Sequence, residues 1–134
     1  MNGSGVVQFL SVDDVCAIHA STLEHEGGMA GVKNVGLLEA AVAMPRQQFA
    51  GSYLHKGLPA MAAAYLFHLC MNHPFNDGNK RAAAMASLIF LRLNGGRLRL
   101  NQKALEPVVL QVAGGEMNQT TLTALYIEGF ASRS

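Results

Sequence analysis

The sequence contains few of the residues that mark specialised classes of protein. Its 134 residues include no tryptophan and two cysteines, and only 14% of them are charged. Two thiols are too few for a disulfide framework, so Cys16 and Cys70 are predicted to be small core residues in a reducing compartment. The low charge, together with a hydrophobic content of 50%, excludes a disordered chain and predicts a well-packed globular protein.

A large charge of one sign and a long apolar run are also missing. The formal net charge is +1, whereas a general nucleic-acid binder usually has a strong basic excess, so no nucleic-acid partner is expected. The longest apolar stretch, Leu58 to Met71, is interrupted by His68 and is shorter than the roughly 20 residues that a membrane span needs. With no apolar leader at the start, we expect a cytoplasmic protein with no membrane partner.

Hydrophobic periodicity predicts an all-α bundle, with a flexible segment at 1–7 and a single domain at 8–132. Ser11 and Asp14 have the spacing of a capping box at the start of a first helix. Leu58 to Asn72 is apolar on nearly all sides, which predicts a buried central helix. The other predicted elements are helices at 36–44, from Gly78 or Asn79 to Leu93, from Pro107 to Gly114 and from Thr120 to Phe130, a loop or short hairpin at 46–57, and a short extended piece at 97–100.

One polar segment, His73 to Arg81, follows the buried helix and has residue types that suit phosphate chemistry. The next helix offers free backbone N–H groups at its start, and Lys80 and Arg81 are disfavoured there unless an anion is present. Asp77 has a hard oxygen that suits Mg²⁺, and His73 can accept a proton near neutral pH. The combination predicts phosphoryl or nucleotidyl transfer, although an ordinary helix–helix turn explains the same residue types about equally well.

The segment His73-Pro74-Phe75-Asn76-Asp77-Gly78-Asn79-Lys80-Arg81 resembles the signature loop of the Fic/Doc superfamily. Lys80 within it resembles the Doc (death-on-curing) branch. Glu26-Gly27-Gly28, the stretch from Gly31 to Glu39 and the helix end Phe90 to Gly95 are also similar to Doc proteins, so the resemblance covers roughly residues 8–130. It implies a helical bundle with the signature loop between two central antiparallel helices, and a short flap hairpin at 46–57.

The resemblance also implies a role for each residue of this loop. His73 would be the base that deprotonates a protein hydroxyl, Asp77 would hold Mg²⁺ against the phosphates of ATP or another nucleoside triphosphate, and Phe75 would be structural. Arg81 would also stabilise the transferred charge. The residues implied in phosphate binding are Gly78, Asn79, Lys80 and Arg81.

Doc toxins phosphorylate a threonine of elongation factor Tu, which stops translation, and a small antitoxin neutralises them. Relatives that transfer AMP usually have glycine at the position of Lys80 and arginine at that of Ala84. Both differences favour a Doc-like kinase, while Gly78 follows the general Fic pattern and keeps AMP transfer as an alternative. A binding module without turnover is a third hypothesis.

Two other patterns in the sequence have a simple structural interpretation. Thr22 to Gly27 matches the inhibitory Ser/Thr-x-x-x-Glu-Gly pattern of some Fic proteins, and we interpret this match as a coincidence. His19 and His68 lie in apolar helical patterns and are predicted to be hydrogen-bonded core residues.

Overall fold

A computed structural model describes residues 6–132, so residues 1–5 and 133–134, and with them most of the predicted flexible segment at 1–7, lie outside the described residues. The helices of the described part are α1 (Val12–Glu26), α2 (Val35–Ala43), α3 (Leu58–Asn72), α4 (Asn79–Leu93), α5 (Gln102–Ala113) and α6 (Gln119–Gly129), with a 3₁₀ turn at Met44–Arg46. Its strands are β1 (Gln48–Phe49), β2 (Ser52–Tyr53), β3 (Gly96–Leu98) and β4 (Phe130–Ser132). The protein is therefore helical, as the sequence predicts.

The central helix is α3, which packs against α2, α4, α5 and α6. Ala62, Ala63 and Ala64 are completely buried, and these small side chains allow the neighbouring helices to approach closely. Tyr65 is also buried, and its hydroxyl accepts a hydrogen bond from the Leu10 N–H at 2.8 Å. Burial raises the pKa of Tyr65 to about 12, so the phenol stays neutral. The prediction of a buried central helix with these bounds is confirmed.

The ends of α1 and α4 follow from local signals. Ser11 and Asp14 form a complete capping box, since each side chain accepts a hydrogen bond from the backbone of the other residue. At the far end of α4, the Asn94 side chain donates to the Phe90 carbonyl at 2.8 Å and ends the helix before two glycines. Within residues 6–132, no helix is long and apolar enough to cross a membrane.

Two small antiparallel sheets complete the described part. In the first, β1 and β2 form a hairpin with Gln48 opposite Tyr53, which confirms the hairpin predicted at 46–57. In the second, β3 pairs with β4, and Gly96 lies opposite Ser132. The sequence predicts the extended piece but not its partner, because the two strands are more than thirty residues apart and Phe130 follows a helical pattern directly.

The prediction that a helix starts at Pro107 is wrong, because α5 begins five residues earlier, at Gln102. Asn101 is its N-cap, and the side-chain oxygen of Asn101 accepts a hydrogen bond from the Ala104 N–H at 2.8 Å. Pro107 lies inside the helix, where it has no N–H to donate to the carbonyl of Lys103. Its fixed φ is still helical, so the helix continues through it at the loss of one hydrogen bond.

Candidate active site

The part of the signature loop at 73–78 connects α3 directly to α4, which contains the rest of the loop, and a left-handed residue stands at each end of this connection. His73 is the C-cap of α3 with φ 52°, and Gly78 is the N-cap of α4 with φ 73°. Pro74 cannot continue α3, so the chain turns immediately after His73. This places the His73 side chain and the start of α4 at the same end of the bundle core.

Phe75 anchors the loop to the core. It is 1% exposed, and its ring stacks on the ring of His19, with centroids 3.8 Å apart and an interplanar angle of 5°. The Nε2 of His19 donates a hydrogen bond to the Asp77 carbonyl at 2.7 Å. The structural role of Phe75 and the hydrogen-bonded core position of His19 are both supported by these contacts. His68 is instead half-buried, and its Nε2 has no hydrogen-bond partner in the described part of the chain.

A second loop, residues 28–34 between α1 and α2, holds the signature loop from the side. The backbone N–H of Lys33 donates to the Pro74 carbonyl at 2.8 Å, and the Asn76 N–H donates to the Gly31 carbonyl at 3.0 Å. Gly28 has φ 124°, and a Cβ atom there would lie 2.9 Å from the Asp77 Oδ2. The sequence indicates only that glycine ends α1, whereas the structure requires Gly28 for its close approach to Asp77.

Asn79 organises the loop from within, although the sequence predicts it as a phosphate-binding residue. Its Oδ1 accepts from the Phe75 N–H at 2.9 Å, and its Nδ2 donates to the Phe75 carbonyl at 3.0 Å. The same Nδ2 lies 3.2 Å from the Nδ1 of His73, and the ammonium of Lys33 lies 3.4 Å from that Nδ1. Because both groups can only donate, Nδ1 is the acceptor, and a neutral His73 ring has its proton on Nε2.

Asp77 presents an ionised carboxylate beside His73 and the start of α4. Its Oδ1 accepts from the Gly78 N–H at 2.9 Å, and its Oδ2 accepts from the Met29 N–H at 3.2 Å. These two backbone hydrogen bonds lower the pKa of Asp77, and the positive charge of Arg81 contributes less. A solvent-exposed carboxylate that stays ionised is a suitable ligand for Mg²⁺, so this residue fits the predicted metal.

The start of α4 has no side-chain cap and no acidic residue in its first turn. Lys80 and Arg81 follow the N-cap, where the helix dipole disfavours positive charge. Arg81 forms an ion pair through its Nε with Glu26, the last residue of α1, and both side chains are about half exposed. The match of Thr22 to Gly27 to the inhibitory pattern is interpreted above as a coincidence, and the structure brings the carboxylate of Glu26 to the arginine predicted to bind phosphate.

A single cavity of about 720 Å³ contains these groups. Six of the seven residues predicted for the site line it, and the seventh, Phe75, is buried beneath them. Its further lining includes Ala84 of α4 and a set of residues on or next to α5, namely Asn101, Gln102, Lys103, Glu106, Val109 and Leu110. No motif in the sequence singles out the α5 residues, because only the packing of α5 against α4 places them here.

The arrangement can bind a phosphate chain and accept a proton next to it. Unpaired N–H groups and two cations lie at the start of α4, and the carboxylate of Asp77 and the imidazole of His73 flank them. Helix N-termini of this kind are anion sites, and an ionised carboxylate beside them suits a divalent cation. The site therefore has the groups that phosphoryl or nucleotidyl transfer requires.

Comparison of the sequence with known proteins points to one family. The chain is similar to the protein kinase doc of Escherichia phage P1, with 29% identity over 124 residues that cover 90% of this chain and 97% of the phage protein. It is also similar to the toxin Doc of Mycolicibacterium smegmatis, with 44% identity over 72 residues that cover 54% of this chain and 55% of that toxin. The sequence profile of the Fic/DOC family matches residues 9–91, which is more than half of the chain and includes the whole signature loop. The chain belongs to the Fic/DOC family.

Proposed function

We propose that this protein is a Doc-like toxin that transfers the γ-phosphate of ATP, or of another nucleoside triphosphate, to a protein hydroxyl in the cytoplasm. By its resemblance to Doc toxins, the acceptor is a threonine of elongation factor Tu, and the consequence is inhibition of translation. The observation that carries the proposal is that His73 shares one cavity with the uncapped, cation-rich start of α4. The names of the two relatives, a protein kinase and a toxin, support it.

The phosphate chain would bind at the start of α4. Its anionic oxygens would accept hydrogen bonds from the free N–H groups of Asn79, Lys80 and Arg81, and the helix dipole and the Lys80 ammonium would stabilise the charge. Arg81 has to leave Glu26 before it can bind phosphate with its full set of donors. Asp77 would hold Mg²⁺, which neutralises phosphate charge when it is bound.

His73 would remove the proton of the acceptor hydroxyl. In this arrangement Nδ1 is the unprotonated ring nitrogen, and the exposed ammonium of Lys33 is the partner that an incoming hydroxyl would displace. The proton passes from the hydroxyl to His73, a bond forms between the hydroxyl oxygen and the γ-phosphorus, and the bond from that phosphorus to the β–γ bridging oxygen breaks. The nucleoside diphosphate then leaves.

Two protein partners are part of the proposal. The β1–β2 hairpin would pair edge-on with an extended segment of the substrate, and its exposed side chains, such as Phe49 at 74% exposure, are free to contact that segment. By resemblance to Doc toxins, a small antitoxin would neutralise the protein.

AMP transfer is the second candidate function, and one position favours it. Gly78 leaves the entrance to the phosphate site without a side chain, as in the general Fic pattern. Lys80 opposes this alternative, because an added side chain in that subsite would crowd a β- and γ-phosphate tail. The mass added to the substrate distinguishes the two reactions.

The test is to incubate the full chain with elongation factor Tu, Mg²⁺ and ATP, and then to measure the intact mass of the factor. One phosphoryl group, a gain of about 80 Da that also adds charge to a hydroxyl, supports the kinase proposal. A gain equal to AMP would support the alternative. No gain with the factor or with a whole-cell lysate would contradict both and favour a binding module. The His73→Asn variant, which lacks the base, is the matched control.

A further inference from the structure

The segment just before α1, residues 7–10, connects three parts of the molecule, and we call it the N-terminal strap. It contacts α3, the end of α4 and the β1–β2 hairpin. We propose that Phe9 of the strap is a positioning residue, which holds the hairpin in the orientation in which it receives a protein substrate. The inference rests on the proposed function, in which the hairpin pairs with an extended segment of the substrate.

The hairpin has little stability of its own. Each strand has two residues, and the turn between them places Ala50 at φ 53°, a left-handed conformation that residues with a Cβ atom rarely adopt. From residue 47 to residue 54, every residue is exposed except Tyr53, which is partly buried against the core. A contact with Tyr53 is therefore the main means of fixing the hairpin to the helices.

Phe9 provides this contact and a second one at the other end of the hairpin. The centroid of its ring lies 5.5 Å from that of Tyr53 in β2, with the two rings tilted by 59°. The guanidinium carbon of Arg46, two residues before β1, lies 5.1 Å from the centroid of the Phe9 ring. A tilted aromatic pair and a cation over a ring face are both attractive. One side chain thus joins the segments that enter and leave the hairpin.

The backbone on both sides of this phenylalanine is fixed to the helices. Before it, the Gln8 N–H donates to the Asn94 Oδ1 at 2.8 Å, and the Asn94 Nδ2 donates back to the Gln8 carbonyl at 2.9 Å. After it, the Leu10 N–H donates to the buried Tyr65 hydroxyl at 2.8 Å. Its ring also stacks on the buried ring of Phe90, with centroids 5.9 Å apart. The strap therefore connects the hairpin to a rigid part of the core.

A fixed hairpin binds an extended segment more tightly than a mobile one. Strand pairing needs backbone N–H and C=O groups that are already in place, and a hairpin that samples other orientations is competent for only part of the time. Loss of the Phe9 ring should therefore raise the KM for the protein substrate. The affinity for ATP should stay the same, because Phe9 lies outside the cavity at the signature loop.

Hydrogen exchange measures the hairpin directly and independently of any activity. The reporter is the Leu54 N–H, which donates to the Gln47 carbonyl at 2.9 Å. Phe9→Leu keeps an apolar side chain but removes the ring, and should speed exchange of this amide by about tenfold, for the loss of one aromatic pair and one cation–π contact. Exchange of the Arg99 N–H, which is hydrogen-bonded beside the β3–β4 sheet, should not change.

Steady-state kinetics with elongation factor Tu, measured as the rate of mass gain at varied concentrations of the factor, test the consequence. Phe9→Leu should raise the KM for the factor several-fold and leave kcat unchanged. Phe130→Leu is the matched control, because Phe130 is also a partly buried phenylalanine packed against the core, but in β4, which pairs with β3. This control should leave the KM and the exchange of Leu54 unchanged. Melting curves compare the stability of the two variants.

Faster exchange of Leu54 together with a raised KM, in Phe9→Leu and not in Phe130→Leu, supports the inference. Unchanged exchange of Leu54 in Phe9→Leu would overturn it. Faster exchange with an unchanged KM would overturn it too, because the orientation of the hairpin would then not matter to the substrate. Equal effects in both variants would also contradict it, since their cause would be a general loss of stability. If the unmodified chain transfers nothing to the factor, the proposed function fails and the inference with it, and this failure is visible before any variant is made.

Discussion

The two helices that meet at the Glu26–Arg81 ion pair, α1 and α4, have the same length and begin in opposite ways. At the start of α1, Ser11 and Asp14 form a capping box, and Asp13 adds a second negative charge to the first turn. At the start of α4, the N-cap is a glycine without a side chain, and the first turn contains Lys80 and Arg81. At the start of α1, side chains accept hydrogen bonds from the backbone and their negative charge stabilises the positive end of the helix dipole. At the start of α4, no side chain of the first turn does either.

This difference fits the proposed phosphate site, because a bound anion stabilises a helix start that has no cap of its own. The helices α2, α5 and α6 also begin with an asparagine whose side chain accepts a hydrogen bond from the first turn, so a side-chain cap is the usual solution in this protein. The starts of α3 and α4 both have a glycine N-cap and no side-chain cap, and of these two only the start of α4 lines the cavity with His73. An anion brought to that end would complete it, which is the physical basis of the proposed phosphate site.

The largest expected effect comes from His73, which tests whether the uncapped helix start belongs to a catalytic site. His73→Asn should reduce phosphate transfer by about 10²- to 10⁴-fold, because the base is lost. Asparagine tolerates the left-handed conformation of this residue, so the thermal unfolding temperature should stay the same. The measurements are the rate of mass gain in the substrate and a melting curve. A variant that retains the full rate would contradict the role of His73.

A second large effect is expected at Asp77, which is the acidic group closest in sequence to the start of α4. Asp77→Asn should remove the increase in ATP affinity that Mg²⁺ causes, because the amide has no charge. In the unmodified chain the lowered pKa of Asp77 means that the carboxylate remains ionised at any pH above the ordinary value for aspartate. Calorimetry with and without Mg²⁺ checks this. An unchanged Mg²⁺ dependence would place the metal elsewhere.

A smaller effect of opposite sign is expected at Glu26. Glu26→Gln should raise ATP affinity several-fold, because Arg81 is released from its ion pair, and the gain should shrink at high salt as the pair is screened. Asp13→Asn is the matched control, since it also removes one negative charge from α1 but at the capped end. A titration with ATP at two salt concentrations tests the prediction. Equal affinities in both variants would mean that the ion pair does not compete with phosphate.

The smallest effect is expected at the capped helix. Ser11→Ala should lower the free energy of unfolding by about 1 kcal/mol, the usual cost of losing an N-cap side chain. ATP affinity should not change, because Ser11 lies outside the cavity. Denaturant unfolding and calorimetry measure the two quantities. A loss of ATP affinity without a loss of stability would break the contrast between the two helix starts.

Several elements could be predicted from the sequence because their causes are local. The bounds of α3 follow from an apolar run between Gly57 and His73-Pro74, and the capping box of α1 follows from two residues three apart. The signature loop could be identified because its polar residues are consecutive. The start of α5 is predicted wrongly from the sequence. Proline is typical of the first turn of a helix, so Pro107 indicates a start there, whereas the helix begins after the asparagine cap at Asn101.

The amino-acid sequence by itself determined the helices, the loop between the two central ones and the family to which the chain belongs. Only the tertiary structure decided which distant groups meet at the site: Glu26 pairs with Arg81, Lys33 lies against His73, and Glu106 of α5 lines the same cavity. Helix periods and caps depend on neighbours within about four residues, so they can be recognised along the chain. Contacts between residues dozens of positions apart depend on how whole helices pack, and no local pattern specifies that packing.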